Sequence, residues 1–182
     1  MRITVKKLTL MAVLTAVALI IFIIEAQIPL PVPIPGVKLG LANAVTLFAL
    51  FYGNNGKRGN IGTDSTDGNL TTANAFAILL CRIILGALFT GRLVAFMYSI
   101  TGGMLGFAVQ AVIKRFVSGR QIWVCGAIGA VFHNIGQILA AMLITGTPSI
   151  AAYLPVLIIA GVFTGVLTGF VAQFALARLS KE

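Results

Sequence analysis

The chain has 182 residues, 59% of them hydrophobic and only 9% charged, with a mean hydropathy of +1.04. That balance excludes an ordinary soluble domain and fits a multi-pass membrane protein. The excess of 13 Lys and Arg over 4 Asp and Glu, a formal charge of +9, would suggest nucleic-acid binding in a soluble chain; here the cations gather at the ends of apolar runs and read as topology signals.

In chain order, apolar runs approaching the roughly 20 residues needed to span a bilayer predict about six helices, in a single transmembrane domain covering 1–182. They fall at about 8–28, 37–53, 73–91, 93–113, 121–145 and 151–177. The first run is too long for the apolar region of a cleaved signal peptide and has no small-residue cleavage site after it. Between the first two spans, Pro29, Pro31, Pro33 and Pro35 alternate with apolar residues. Proline fixes φ and removes a donor, so this segment is expected to be extended, as a rigid connector or as a rim over a cavity. The second span is short. It either starts near Pro35 or does not cross the full thickness. Residues 54–72 switch to Asn, Gly, Thr, Ser and Asp and predict a flexible loop. Asp64 and Asp67 in it read as a solvated turn, not a metal-binding pair.

Charge placement sets the orientation. With six crossings and an inside N-terminus, Arg2, Lys6, Lys7, Lys57, Arg58, Lys114, Arg115, Arg120, Arg178 and Lys181 all lie on the cytoplasmic side, leaving Lys38, Arg82 and Arg92. The positive-inside rule therefore predicts an N-in, C-in protein of the cell (inner or cytoplasmic) membrane. Tyr52 and Trp123 then fall at the inner interface, Tyr98 and Tyr153 at the outer one.

Small residues recur four apart: Gly161, Gly165 and Gly169 in the last span, Gly102 and Gly106 in the fourth, Ala12 and Ala16 in the first. In lipid such spacing lets helices approach closely. Most of these motifs are expected to pack the bundle internally, whereas Ala12 and Ala16, in the cytoplasmic half of the first span, are candidates for contact with a partner protein. Cys81 and Cys125 stand alone in apolar runs and read as small hydrophobes.

The polar residues inside the spans carry the functional argument, because ionisable groups are costly in hydrocarbon. His133, the single histidine, is followed by Asn134 and Gln137 near the middle of the fifth span. His133 and Gln137 share a helical face, and Asn134 points about 100° away from them. Glu25 ends the first span, Lys38 opens the second with Asn43 deeper, Arg82 lies mid-way along the third, Tyr98 lies in the outer part of the fourth, and Tyr153 begins the sixth. Each group has a plain alternative role, Arg82 pairing with Glu25 and the amides stapling helices. Together they concentrate in the outer half, and their cations outnumber Glu25, the lone acid among them. An anionic or zwitterionic ligand would restore the balance. Polar lining on one side only suits solute capture, not a through-channel. No metal set, nucleophile or cofactor motif accompanies it.

Several of these residues sit in longer motifs: Pro33-Ile34-Pro35-Gly36-Val37-Lys38-Leu39-Gly40-Leu41-Ala42-Asn43, Arg82-Ile83-Ile84-Leu85-Gly86, Tyr98-Ser99-Ile100-Thr101-Gly102-Gly103, Gly129-Ala130-Val131-Phe132-His133-Asn134-Ile135-Gly136-Gln137 and Tyr153-Leu154-Pro155-Val156-Leu157. This series resembles the bacterial Gx transporter family, also described as heptaprenyl diphosphate synthase component I. The polar loop after the second span is longer than the compact turn of that family. The family is similar to the substrate-binding S-components of energy-coupling-factor (ECF) transporters, six-helix proteins that capture a vitamin- or cofactor-like solute on the outer side. The resemblance implies a small-molecule substrate at Lys38, Asn43, Arg82, His133, Asn134 and Gln137, with Glu25, Tyr98 and Tyr153 beside them. It also implies contact of Ala12 and Ala16 with a transmembrane coupling subunit that works with cytoplasmic ATPases. The competing description implies a non-catalytic membrane component of a polyprenyl diphosphate or quinone pathway, or of flavin- or quinone-linked electron transfer. The chain is not expected to be an enzyme itself. Soluble prenyl diphosphate synthases use two aspartate-rich motifs, and the only aspartates here are Asp64 and Asp67.

Overall fold

The structure, a computed structural model, describes residues 4–27, 38–52 and 70–179. These form α1 (Val5–Glu25), α2 (Asn43–Phe51), α3 (Thr72–Thr90), α4 (Leu93–Ile113), α5 (Ile122–Thr145) and α6 (Leu154–Leu179), with a 3-10 turn, Pro148–Tyr153, leading into α6. It is an all-α membrane bundle. Among the described residues five helices are long and apolar enough to cross a membrane: α1, α3, α4, α5, and α6 with its preceding turn. The Pro29–Gly36 connector, most of the 54–72 loop with Asp64 and Asp67, and the charges of Arg2, Lys57, Arg58 and Lys181 lie outside the described residues.

The second span is where expectation and structure part. Helix was predicted over 37–53, but α2 holds only nine residues, Asn43–Phe51. At about 1.5 Å per residue it is about 13 Å long, under half a bilayer. Lys38 to Ala42 are not helical, because Gly40 takes a left-handed φ of +83° that breaks the right-handed path. Lys38 therefore lies in a turn before α2, not on its first turn as expected.

α2 is nonetheless the centre of the bundle. It packs against α1, α3, α4, α5 and α6, and buries Val45, Thr46, Leu47, Ala49, Leu50 and Phe51. Its C-terminal half joins Leu70, Ala75, Ile78, Leu79, Ile83, Phe107, Ile122, Cys125 and Ala172 in the main apolar cluster. Leu70, expected in a flexible loop, is thus anchored, and Thr71 caps α3 by accepting the Asn74 backbone N–H. Phe51 faces Lys114, the C-cap of α4, across 6.0 Å. α2 therefore runs from mid-depth to the end of the bundle where α4 finishes and α5 begins.

The glycine motifs pack the bundle internally, as expected. On α6, a Cβ added to Gly165 would lie 2.6 Å from the Gly126 carbonyl oxygen of α5, and one on Gly169 would lie 2.4 Å from Trp123 Cα. On α4, a Cβ on Gly106 would lie 2.9 Å from the Gly129 carbonyl oxygen. Lipid tails are as apolar as the side chains, so such close backbone approach supplies the van der Waals contact that holds membrane helices together. Ala12 and Ala16 belong to no such seam. Both are exposed on α1, while Ala18 is fully buried.

Candidate functional site

The start of α2 meets the middle of α3, α4 and α5. Arg82 lies half-way along α3 and is buried to 2% exposure. Its Nη2 donates to Asn43 Oδ1 at 3.2 Å, and Nε has no partner among the described residues. Asn43 is the first residue of α2, so the guanidinium sits at that helix's N-terminus. Gly103 on α4 faces the same part of α3: a Cβ there would lie 3.0 Å from Ile83 Cδ1 and in ordinary contact, at 4.0 Å, with Arg82 Nη2.

The turn before α2 is held by side chains from two other helices. Gly40 N–H donates to the Glu25 carboxylate at the end of α1, and Lys38 N–H donates to Gln137 Oε1 of α5 at 3.3 Å. The left-handed turn also lets His133 in, since a Cβ on Gly40 would lie 3.2 Å from His133 Cδ2 and 2.9 Å from Asn43 Nδ2. His133 and Gln137 join at 2.9 Å between their Nε2 atoms. Because Gln137 uses its oxygen for Lys38, its amide nitrogen must donate to His133 Nε2. His133 is therefore neutral, with its proton on Nδ1. Gly102 of α4 lies against this pair, and a Cβ there would approach Gln137 Cγ to 2.9 Å.

Among the described residues the Lys38 ammonium has no carboxylate against it. It lies 3.1 Å from the centroid of the Phe22 ring on α1, with the Arg82 guanidinium carbon 6.0 Å from the same centroid. An ammonium over a ring face is attracted by the ring quadrupole, and desolvation strengthens the attraction. Phe22 lies flat on α3 at Gly86, where a Cβ would come within 2.6 Å of Cε1. Glu25 is 5% exposed and Lys38 8% exposed. No salt bridge joins either of them, or Arg82, to a partner among the described residues.

Six of the expected site residues thus come together: Glu25, Lys38, Asn43, Arg82, His133 and Gln137. Three stand apart. Asn134 is fully buried but turns toward α6, where its Nδ2 donates to the Leu157 carbonyl at 2.6 Å. Tyr98 and Tyr153 pack with Ile138, Ala140, Ala141 and Leu157 in a second, smaller apolar cluster. Arg92, at the N-cap of α4, is exposed.

Phe22, Gly40, Gly86, Gly102 and Gly103 escaped the reading of the sequence as site residues. Phe22 precedes Glu25 by three and shares its helical face; the four glycines all lie within the motifs already quoted.

Chemically, the arrangement offers two buried cations, one acid already committed to a backbone amide, and the N-terminal end of a helix that starts at mid-depth. The cations and the helix end favour negative charge; the acid offsets part of it. Among the described residues no group of three His, Cys, Asp or Glu side chains could hold a metal.

No curated protein and no solved structure matches the chain. A family model does: heptaprenyl diphosphate synthase component I matches residues 14–58 and 59–175, two segments that meet inside the polar stretch after the second span. All the cluster residues fall within the matched segments, and the chain is therefore a member of the heptaprenyl diphosphate synthase component I family.

Proposed function

We propose that this chain is the membrane substrate-binding subunit of an ECF-type transporter, capturing a small anionic or amphiphilic, vitamin- or cofactor-like solute. Arg82 carries this reading. A guanidinium buried at mid-membrane costs about 3 kcal/mol or more, and helps itself to only one neutral acceptor, Asn43 Oδ1. A purely structural arginine would have its buried N–H groups taken by carboxylates or carbonyls. Here the one nearby acid among the described residues, Glu25, accepts from Gly40 N–H and forms no salt bridge with Arg82, whose Nε has no partner among those residues.

The proposed orientation is N-in, C-in in the cell membrane. Lys6, Lys7 and Arg120 lie at the N-terminal ends of α1 and α5, and Lys114, Arg115 and Arg178 at the C-terminal ends of α4 and α6. Alternating crossings bring these ends to one face, as the positive-inside rule requires of the cytoplasmic side. The cluster then lies at mid-depth and toward the outer side, where a solute arrives. Exposure of Ala12 and Ala16 suits contact with a coupling subunit that works with ATPases. In this role the chain binds and releases; it does no covalent chemistry.

Mass spectrometry of small molecules that copurify with the protein tests this. Wild type should carry a solute that an Arg82→Ala, His133→Ala double variant has lost. Equal lipid profiles and no solute in either would refute the binding site.

The family description favours a second reading, a non-catalytic membrane component working with a polyprenyl diphosphate synthase. Pull-down separates the two. Recovery of a soluble prenyl synthase, and of no transmembrane coupling subunit, selects the second.

A further inference from the structure

The charges around Arg82 can be counted, and the count restricts the ligand. Arg82 and Lys38 contribute one positive charge each, Glu25 one negative charge. His133 contributes none, because its Nε2 accepts from Gln137. Residues 28–37, which join α1 to the Gly40 turn, carry no ionisable side chain. Arg92 acts on Lys38 through space, but it is exposed, solvent screens it, and it stands outside the buried count. The cluster therefore has a net charge of +1, and one negative charge neutralises it. A dianion leaves an unpaired charge where desolvation is expensive and unmatched ions are strongly disfavoured.

We propose that the site takes a ligand head bearing a single negative charge, a carboxylate, and that Glu25 is the residue that excludes dianions. This rests on the anion-binding reading of Arg82 given above. Arg82 Nε supplies one buried donor without a partner among the described residues, for one carboxylate oxygen. Lys38 leaves the Phe22 ring face to complete the pairing. Glu25 acts at one remove: through Gly40 N–H it fixes the turn, and through its charge it lowers the local potential by one unit. A diphosphate head, with two or more negative charges, does not match a cluster of +1.

Thermal unfolding of the protein in phosphatidylcholine nanodiscs tests the count. Benzoate, phosphate and pyrophosphate are titrated at pH 7.4, where Lys38 is mostly charged, with ionic strength held constant with chloride. Benzoate should stabilise wild type at a concentration at least about tenfold lower than phosphate does. Arg82→Gln should abolish that effect. Glu25→Gln keeps an oxygen for Gly40 N–H but raises the cluster to +2, and should bring phosphate level with benzoate or ahead of it. Should the Glu25 variant not fold, wild type against Arg82→Gln decides alone. Tighter action of phosphate or pyrophosphate through Arg82 overturns the single-charge rule and keeps the anion site. No ion acting beyond chloride, with Arg82→Gln indistinguishable from wild type, overturns the anion site itself. A carboxylate also occurs on lipid chains, so oleate in the nanodisc is compared with benzoate in the buffer. Action of benzoate assigns a free solute, and action of oleate alone a lipid-borne head; both support a single charge.

Discussion

α5 and α1 each supply part of the Arg82 cluster, yet the two helices are held in opposite ways. α5 is wedged between α4 and α6, with Gly129 against Gln110 on one flank and Gly126 against Gly165 on the other. α1 packs only on α2 and α3 among the described helices, and leaves Val13, Val17, Ile20 and Ile24 bare. His133 and Gln137 thus stand on a fixed wall. Phe22 and Glu25 stand on a wall attached by few contacts, among them their own with Lys38, Gly86 and Gly40. A site divided in this way keeps its geometry on one side and can yield on the other when a ligand enters.

The largest effect is expected on the fixed wall. Gly126→Leu places a side chain where even a Cβ would come within 2.4 Å of the Gly165 carbonyl oxygen. Destabilisation of about 3 kcal/mol is expected, read as a lower unfolding temperature in detergent. An unchanged unfolding temperature would mean that the α5–α6 seam is not what fixes this wall. On the yielding wall, Phe22→Leu keeps apolar bulk and removes the ring face under Lys38, at about 2 kcal/mol for a desolvated cation–π pair. Limited proteolysis should then release α1 before the rest of the bundle; release of all helices together would contradict the division. Gly40→Ala, at the junction of the two walls, should cost about 1–2 kcal/mol for a left-handed φ, seen by the same unfolding assay. The smallest effect on stability belongs to the exposed pair on α1. Ala12→Leu with Ala16→Leu should move stability by no more than about 0.5 kcal/mol, yet abolish recovery of a coupling subunit in pull-down. A large loss of stability would place these alanines in an internal seam instead.

The five long helices were legible because a membrane span is a matter of length and apolarity, and α3, α4 and α5 begin and end within about a residue of expectation. α2 was not, because hydropathy cannot distinguish a buried short helix preceded by an apolar turn from one continuous span; only Gly40 marked the break. The polar cluster was legible for a related reason. Charged side chains in hydrocarbon stand out in any apolar run, and depth along each span was enough to bring Lys38, Arg82 and His133 together. Direction around the helix was harder. Asn134 follows His133 by one residue and so faces α6, an angle the sequence reading noted without recognising Leu157 as its destination. Phe22 was illegible for the opposite reason: a phenylalanine in an apolar run carries no mark of the cation it faces.

The turn at Lys38–Ala42 also bears on how the protein is made. Non-helical backbone at mid-depth has no partners in lipid, and here its N–H groups at Lys38 and Gly40 are taken by Gln137 and Glu25. Glu25 leaves the ribosome before the turn; Gln137 follows it by 99 residues. Until α5 has been synthesised and docked, the Lys38 amide lacks the partner it has in the finished bundle. The turn at the head of α2 is therefore complete only when the first and the fifth helices are both in place.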